Sequence, residues 1–165
     1  MKKLLCLFIG IILCTLCGIT VLAESEVDAV YYYVNSETGD DRGNDGLSAT
    51  SPVKTFTRAC NLAKNTDADV AYIVITNEYK ITVNVNEVVH TVPFVVTTSD
   101  GKTDYALKHN AKIVFNGGRR YYLAGNTTFE NIRIEHDTTL NFVAGFNRIT
   151  MGDGVVTVCN DSKNR

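Results

Sequence analysis

Tryptophan is absent from this 165-residue chain, and methionine and proline occur only twice each. The missing indoles disfavour an aromatic sugar-stacking platform built on them, although eight tyrosines are available as substitutes. Also missing is any basic run or basic–aromatic repeat. With 16 Lys and Arg against 18 Asp and Glu the net charge is -2, and nothing points to nucleic acid. No apolar run long enough to cross a bilayer follows Val21. The remainder, 45% hydrophobic and 21% charged, is ordinary for a globular chain and long enough for one domain with a real core.

Residues 1–23 have the layout of a secretory signal peptide. Lys2 and Lys3 supply the positive start, Leu4 to Val21 is almost unbroken apolar sequence, and Val21-Leu22-Ala23 ends on a small residue before Glu24. The expected location is therefore extracellular or at the cell surface. The alternative is an uncleaved anchor, since the run approaches the roughly 20 residues that span a bilayer; the membrane is then touched through this segment alone. Removing the segment takes Cys6, Cys14 and Cys17 with it and leaves Cys60 and Cys159. An exported chain can oxidise such a pair. The other reading is two small buried hydrophobes, because Cys60 falls on the apolar face of a predicted helix and Cys159 closes the last predicted strand. Neither has a metal-ligand neighbour, so zinc is not expected.

An acidic linker, 24–29, leads into the stretch on which the reading turns, Tyr31 to Phe56. Tyr31-Tyr32-Tyr33-Val34 suits a strand. A polar loop dense in Gly, Asp, Asn and Ser follows, and Ser51-Pro52 with Lys54-Thr55 closes it and opens a helix. Thr55 is the expected N-cap of a helix running to about Asn65, with Phe56, Ala59, Cys60 and Ala63 on one apolar face. The succession Tyr-Tyr-Val, Thr38-Gly39-Asp40, Asn44-Asp45-Gly46-Leu47-Ser48 and Ser51-Pro52-x-Lys54-Thr55 resembles the opening of secreted right-handed parallel β-helix proteins of the pectate-lyase-like superfamily. The resemblance covers about 26 residues. It implies an all-β fold, a right-handed parallel β-helix (solenoid) whose N-terminal end is plugged by the capping helix. Residues 30–165 would then be the cap and first coils, incomplete at the C-terminal end and needing further coils or a capping partner.

From Val70 the pattern turns to period two. Strands are expected at Tyr72–Thr76, Lys80–Val85, Phe94–Thr97, Lys112–Asn116, Tyr121–Ala124, Thr128–Glu135, Leu140–Ala144, Arg148–Met151 and Val155–Val158. In Lys80–Val85, alternation puts Ile81, Val83 and Val85 inside. Taking Ile73, Val95, Ile113, Ile132 and Ile149 as equivalent inward positions gives gaps of 22, 18, 19 and 17 residues, about the period of a solenoid coil. An all-β sandwich stays open as an alternative.

Stacked coils would turn outward residues into ladders. Lys112, Asn131, Arg133 and Arg148 form the candidate glycan-binding set, offering charge-assisted donors to an acidic extracellular polysaccharide. The same charges also serve simply to keep a sheet soluble. Asp41, Asn44 and Asp45 are candidate calcium ligands, although the position of an EF-hand's bidentate Glu is held by Pro52; the other reading is a structural turn. Catalytic residues are not assigned. Alternation sends Glu130 and Glu135 to opposite faces, Asp137 lies in a turn, and His90, His109 and His136 stand alone as surface residues. The expected function is thus an exported or cell-surface β-helix module, structural or glycan-binding, as the front part of a larger protein. The alternatives are the start of a polysaccharide lyase or glycosidase whose catalytic coils lie elsewhere, and a sandwich adhesin.

Overall fold

The computed structural model describes residues 26–86, 89–117, 119–122, 125–137, 141–143 and 148–160. The signal segment, Cys6, Cys14 and Cys17, and the strand residues Ala124, Leu140 and Ala144 lie outside them. The first elements are β1 (Ala29–Val34), α1 (Phe56–Ala63), β2 (Val70–Ile75), β3 (Glu78–Ile81) and β4 (Val85–Asn86). Next come β5 (Phe94–Thr97), α2 (Tyr105–His109), β6 (Lys112–Phe115) and β7 (Arg120–Tyr122). The last are β8 (Thr127–Glu130), β9 (Arg133–His136), β10 (Asn141–Val143), β11 (Ile149–Met151) and β12 (Val156–Cys159).

The chain is mostly β, with few helices, and its named strands pair in parallel. Sheet A runs β1-β2-β5-β8-β11, sheet B β3-β6-β9-β12, and sheet C β4-β7-β10. From β2 onward each pairing joins a strand to the one three places later in the chain. Parallel neighbours need a long crossover; here the crossover is made of the two intervening strands, which belong to the other sheets.

Inward rows from the three sheets meet in one core. Ile73, Val96 and Phe129 are register neighbours in sheet A and fully buried. Ile113 faces Ile134 in sheet B, and Val85, Tyr121 and Phe142 form the row of sheet C. Tyr121 packs edge-on to Phe129, with ring centres 5.8 Å apart, and Phe142 lies 5.3 Å from Phe129. A fully buried ring such as that of Phe129 contributes about 1.5–3 kcal/mol of transfer free energy.

The opening stretch covers one edge of this arrangement. Gly46 O accepts from Tyr33 N at 2.7 Å and Tyr33 O accepts from Val53 N at 2.9 Å, so the polar loop returns alongside β1. A Cβ on Gly39 would collide with the carbonyl oxygens of Val53 and Asn35, which is why the closest approach of the loop is made at a glycine. Thr55 caps α1 as expected, accepting from Arg58 N at 3.1 Å, and Phe56, Ala59, Cys60 and Ala63 are buried. The helix ends at Ala63, two residues short of the expected Asn65. Cys60 lies in the core while Cys159 is exposed at the end of β12.

Three expectations are corrected. Lys80–Val85 is two strands with a corner between them, so Val83 stands outside at 68% exposure while Ile81 and Val85 point in. Thr128–Glu135 likewise divides at Asn131, whose φ of 45° turns the chain from sheet A to sheet B. The supposed inward set mixes rows: Ile73 aligns with Val96 rather than Val95, Ile113 belongs to sheet B, and Ile132 sits in the corner. In true register the steps in sheet A are 23 residues from Ile73 to Val96, 33 to Phe129 and 22 to Met151. The long step holds residues 98–111, including α2, where the other A-to-B connections have only two to four residues.

Candidate functional site

On the outer face of sheet B the charges answer one another. Lys112 Nζ lies 3.2 Å from Glu78 Oε2 and 3.1 Å from Glu135 Oε1, and Arg133 Nε donates to the same Glu135 oxygen at 2.7 Å. Lys80 pairs with Glu78 at 3.1 Å, and Asn160 Nδ2 donates to Glu135 Oε2 at 3.1 Å. The Arg133 hydrogen bond, with help from Lys112 and against partial burial, holds the Glu135 carboxyl below its ordinary range. Lys80 and Lys112 do the same for Glu78. Desolvation opposes the charge on Lys112, but its bonds to Glu135 and Glu78 outweigh it and raise the ammonium's pKa.

Of the four candidate glycan ligands, only Lys112 and Arg133 are neighbours in register, following from Ile113 opposite Ile134. Asn131 occupies the A-to-B corner, where its N–H donates to Asp153 O at 2.8 Å and its carbonyl accepts from Thr98. Arg148 is exposed just before β11, in line with sheet A. The corner at Asn131 is what breaks the expected single ladder. Glu130 and Glu135 are separated for the same reason, lying in different sheets rather than on two sides of one strand.

The three calcium candidates are engaged with backbone. Asp41 Oδ1 accepts from Lys54 N at 2.8 Å and Thr55 N at 2.9 Å, and its Oδ2 accepts from the Thr55 hydroxyl at 2.7 Å. Asn44 Nδ2 donates to Pro52 O at 2.7 Å, and Asp45 Oδ1 accepts from Leu47 N at 3.0 Å. Among the described residues no group of three or more His, Cys, Asp or Glu is arranged to hold a metal ion. Asp137 accepts from Gly117 N at 2.8 Å, and His90, expected at the surface, is buried and stacked on Phe94.

The outer face of sheet A is different in kind. Its outward row reads Tyr31, Tyr72, Val95, Thr128 and Thr150. Tyr31 and Tyr72 stack with ring centres 4.7 Å apart and planes 12° off parallel, a spacing set by the roughly 4.8 Å between strands. Val95 is too short to continue the stack. Val95 is itself buried, and the cleft on this face, of about 200 Å³, is lined instead by Tyr31, Tyr72, Thr97, Ser99, Asp100 and Glu130, among others. Burial, then the neighbouring Tyr31 and Glu130, raises the pKa of the Tyr72 hydroxyl. The Glu130 carboxylate has no hydrogen-bond or ion-pair partner among the described residues. The next residue along its row is Gly152, where a Cβ would fall 2.8 Å from Glu130 Cγ; the glycine leaves that side chain its space.

The wall of the cleft is the 98–111 insertion, which local pattern did not reveal as structured. Asp104 caps α2, accepting from Leu107 N at 3.1 Å, and Asn110 ends it in the left-handed region at φ 52°. Asp100 ties the insertion down: its Oδ2 accepts from the Tyr33 hydroxyl at 3.0 Å and the Tyr105 hydroxyl at 3.1 Å. Its Oδ1 accepts from Thr103 N at 2.7 Å and Lys102 N at 2.9 Å. Burial opposes ionisation of Asp100, yet these four donors prevail and hold its carboxyl below the ordinary value. Burial and the same carboxylate push the Tyr33 hydroxyl strongly upward. On the other side of the insertion a larger cleft of about 570 Å³ includes Asn35, Asn77, Glu78, Lys108 and His109. Its amides are engaged with Thr76 and Ser36 rather than open.

Comparison with protein-family models, curated proteins and solved structures finds no match to this chain. No helix among the described residues is long and apolar enough to cross a membrane.

Proposed function

We propose that this chain is a right-handed parallel β-helix module, exported to the cell surface, that binds glycan without cleaving it. The observation that carries the fold reading is the pairing of each strand from β2 onward with the one three places later, always in parallel. Three strands then make one coil, and the right hand follows from the strong preference of parallel crossovers. The opening motif, with its loop and helix over the edge beside β1, supports the same reading. Export rests on Lys2, Lys3 and the apolar run to Val21.

Glycan binding is supported by outward tyrosines and carboxylates around a small open cleft, a combination that meets both the apolar and the hydroxyl faces of a sugar. The sheet B charges favour a structural role, because Lys112 and Arg133 are already paired. The test is an assay of the chain against acidic and neutral polysaccharides, with and without calcium. Saturable binding with neither unsaturated products nor new reducing ends is expected. Release of either product would overturn the non-catalytic reading in favour of a lyase or glycosidase.

A further inference from the structure

Resting on the glycan-binding reading, we infer that the cleft beside Tyr72 is a subsite for one ring of a neutral, hydroxyl-rich saccharide. The geometry is that of a stacked tyrosine pair at the side of a small polar cleft. Tyr31 and Tyr72 sit one strand apart with nearly parallel rings, and the third position of the row is held by the short Val95. The cleft is lined by both tyrosines together with Thr97 and Glu130, so a sugar ring entering it lays its C–H face against the stacked pair. A volume of about 200 Å³ fits one ring and leaves the rest of a chain in solvent.

The polar groups around it choose among ligands. The Glu130 carboxylate is an acceptor with no partner among the described residues, suited to a pair of adjacent hydroxyls. Asp100 lies on the same cleft with four donors already bound to it, so it adds negative charge and rigidity rather than a free acceptor. Two carboxylates repel a uronate, which separates this subsite from the acidic-polysaccharide face expected on Lys112 and Arg133. An arginine side chain would also stack on tyrosine and pair with Glu130. It carries only donors, however, and so offers no acceptor to the O–H of Ser99, whose oxygen already accepts from Gly101 N, or to the Asn131 amide hydrogens, whereas a sugar's hydroxyls both donate and accept.

The test is a titration of the full exported chain with cellotetraose, laminaritetraose, mannotetraose and polygalacturonate, and separately with an arginine-rich peptide. Tyrosine emission is a direct readout because the chain has no tryptophan. Saturable binding of a neutral tetrasaccharide is expected, weakened at least tenfold in Tyr72→Ala and about threefold to tenfold in Glu130→Gln. The Glu130→Gln variant, conservative and half-exposed, keeps the test decisive should Tyr72→Ala fail to fold. Neutral-sugar binding that is unchanged in Glu130→Gln and lost in Lys112→Ala would overturn this subsite and leave the glycan-binding reading intact. Binding of polygalacturonate alone would do the same. No binding of any saccharide by folded protein would overturn both, and capture of the arginine-rich peptide alone would assign the cleft to a protein partner instead.

Discussion

The outer faces of sheets A and B are built from the same strand spacing and carry very different chemistry. On sheet B, Glu78, Lys80, Lys112, Arg133 and Glu135 answer one another across successive strands. On sheet A one outward row begins with two stacked tyrosines and stops at Val95, and in the neighbouring row the Glu130 carboxylate has no partner among the described residues beside an anchored insertion. A charged face is not thereby a binding face. Groups already satisfied within the fold must be freed before they meet a ligand, at a cost that an unanswered carboxylate beside an open ring does not carry.

Three substitutions probe that comparison at decreasing depth. Phe129 lies in the core beneath both faces and packs on Tyr121 and Phe142, so Phe129→Ala should cost about 3–5 kcal/mol in denaturant unfolding. Both faces should be lost in a single transition; separate transitions would show that the sheets are not one cooperative unit. Asp100→Asn should act on sheet A alone, removing about 1–3 kcal/mol and raising hydrogen exchange across 98–111 while leaving β6 and β9 protected. Its sign with pH is fixed, because the folded carboxyl sits below its ordinary value of 3.8. The Asp100 contribution is fully present above that pH and is lost as pH falls through the lower folded value. The gap between wild type and variant should therefore close in acid. Smallest is Arg133→Ala, whose side chain is 46% exposed: about 0.2–1 kcal/mol, shrinking in 1 M salt, with no effect on the insertion. A larger, salt-independent loss would mean that sheet B depends on Arg133 for packing.

Much of this architecture can be read from sequence, and the exceptions share a cause. Thr55 and the apolar positions of α1 declare themselves locally, and Phe94–Thr97 is found at its own boundaries. The corners at 82–84 and 131–132 are hidden because alternation assumes a chain that keeps going straight. Ile132 is buried inside a corner and Val83 exposed outside one, and each fits a strand template on either side of it. Asn131 carried a signal, since a left-handed turn favours asparagine among non-glycine residues. Asp104 and Asn110 likewise bracket α2, although a helix of five residues is too short to show periodicity. The Tyr31–Tyr72 stack is another matter: it exists only once β1 and β2 are in register, and that pairing across 41 positions is set by the core rather than by either segment.

The most direct measurement is a residue-resolved map of amide shifts on adding a neutral tetrasaccharide to isotopically labelled chain. Changes centred on Tyr31, Tyr72, Thr97, Ser99 and Glu130 are expected, with Lys112, Arg133 and Glu135 unmoved. Changes centred on the Lys112–Arg133 face, with the tyrosine row silent, would contradict the sheet A subsite.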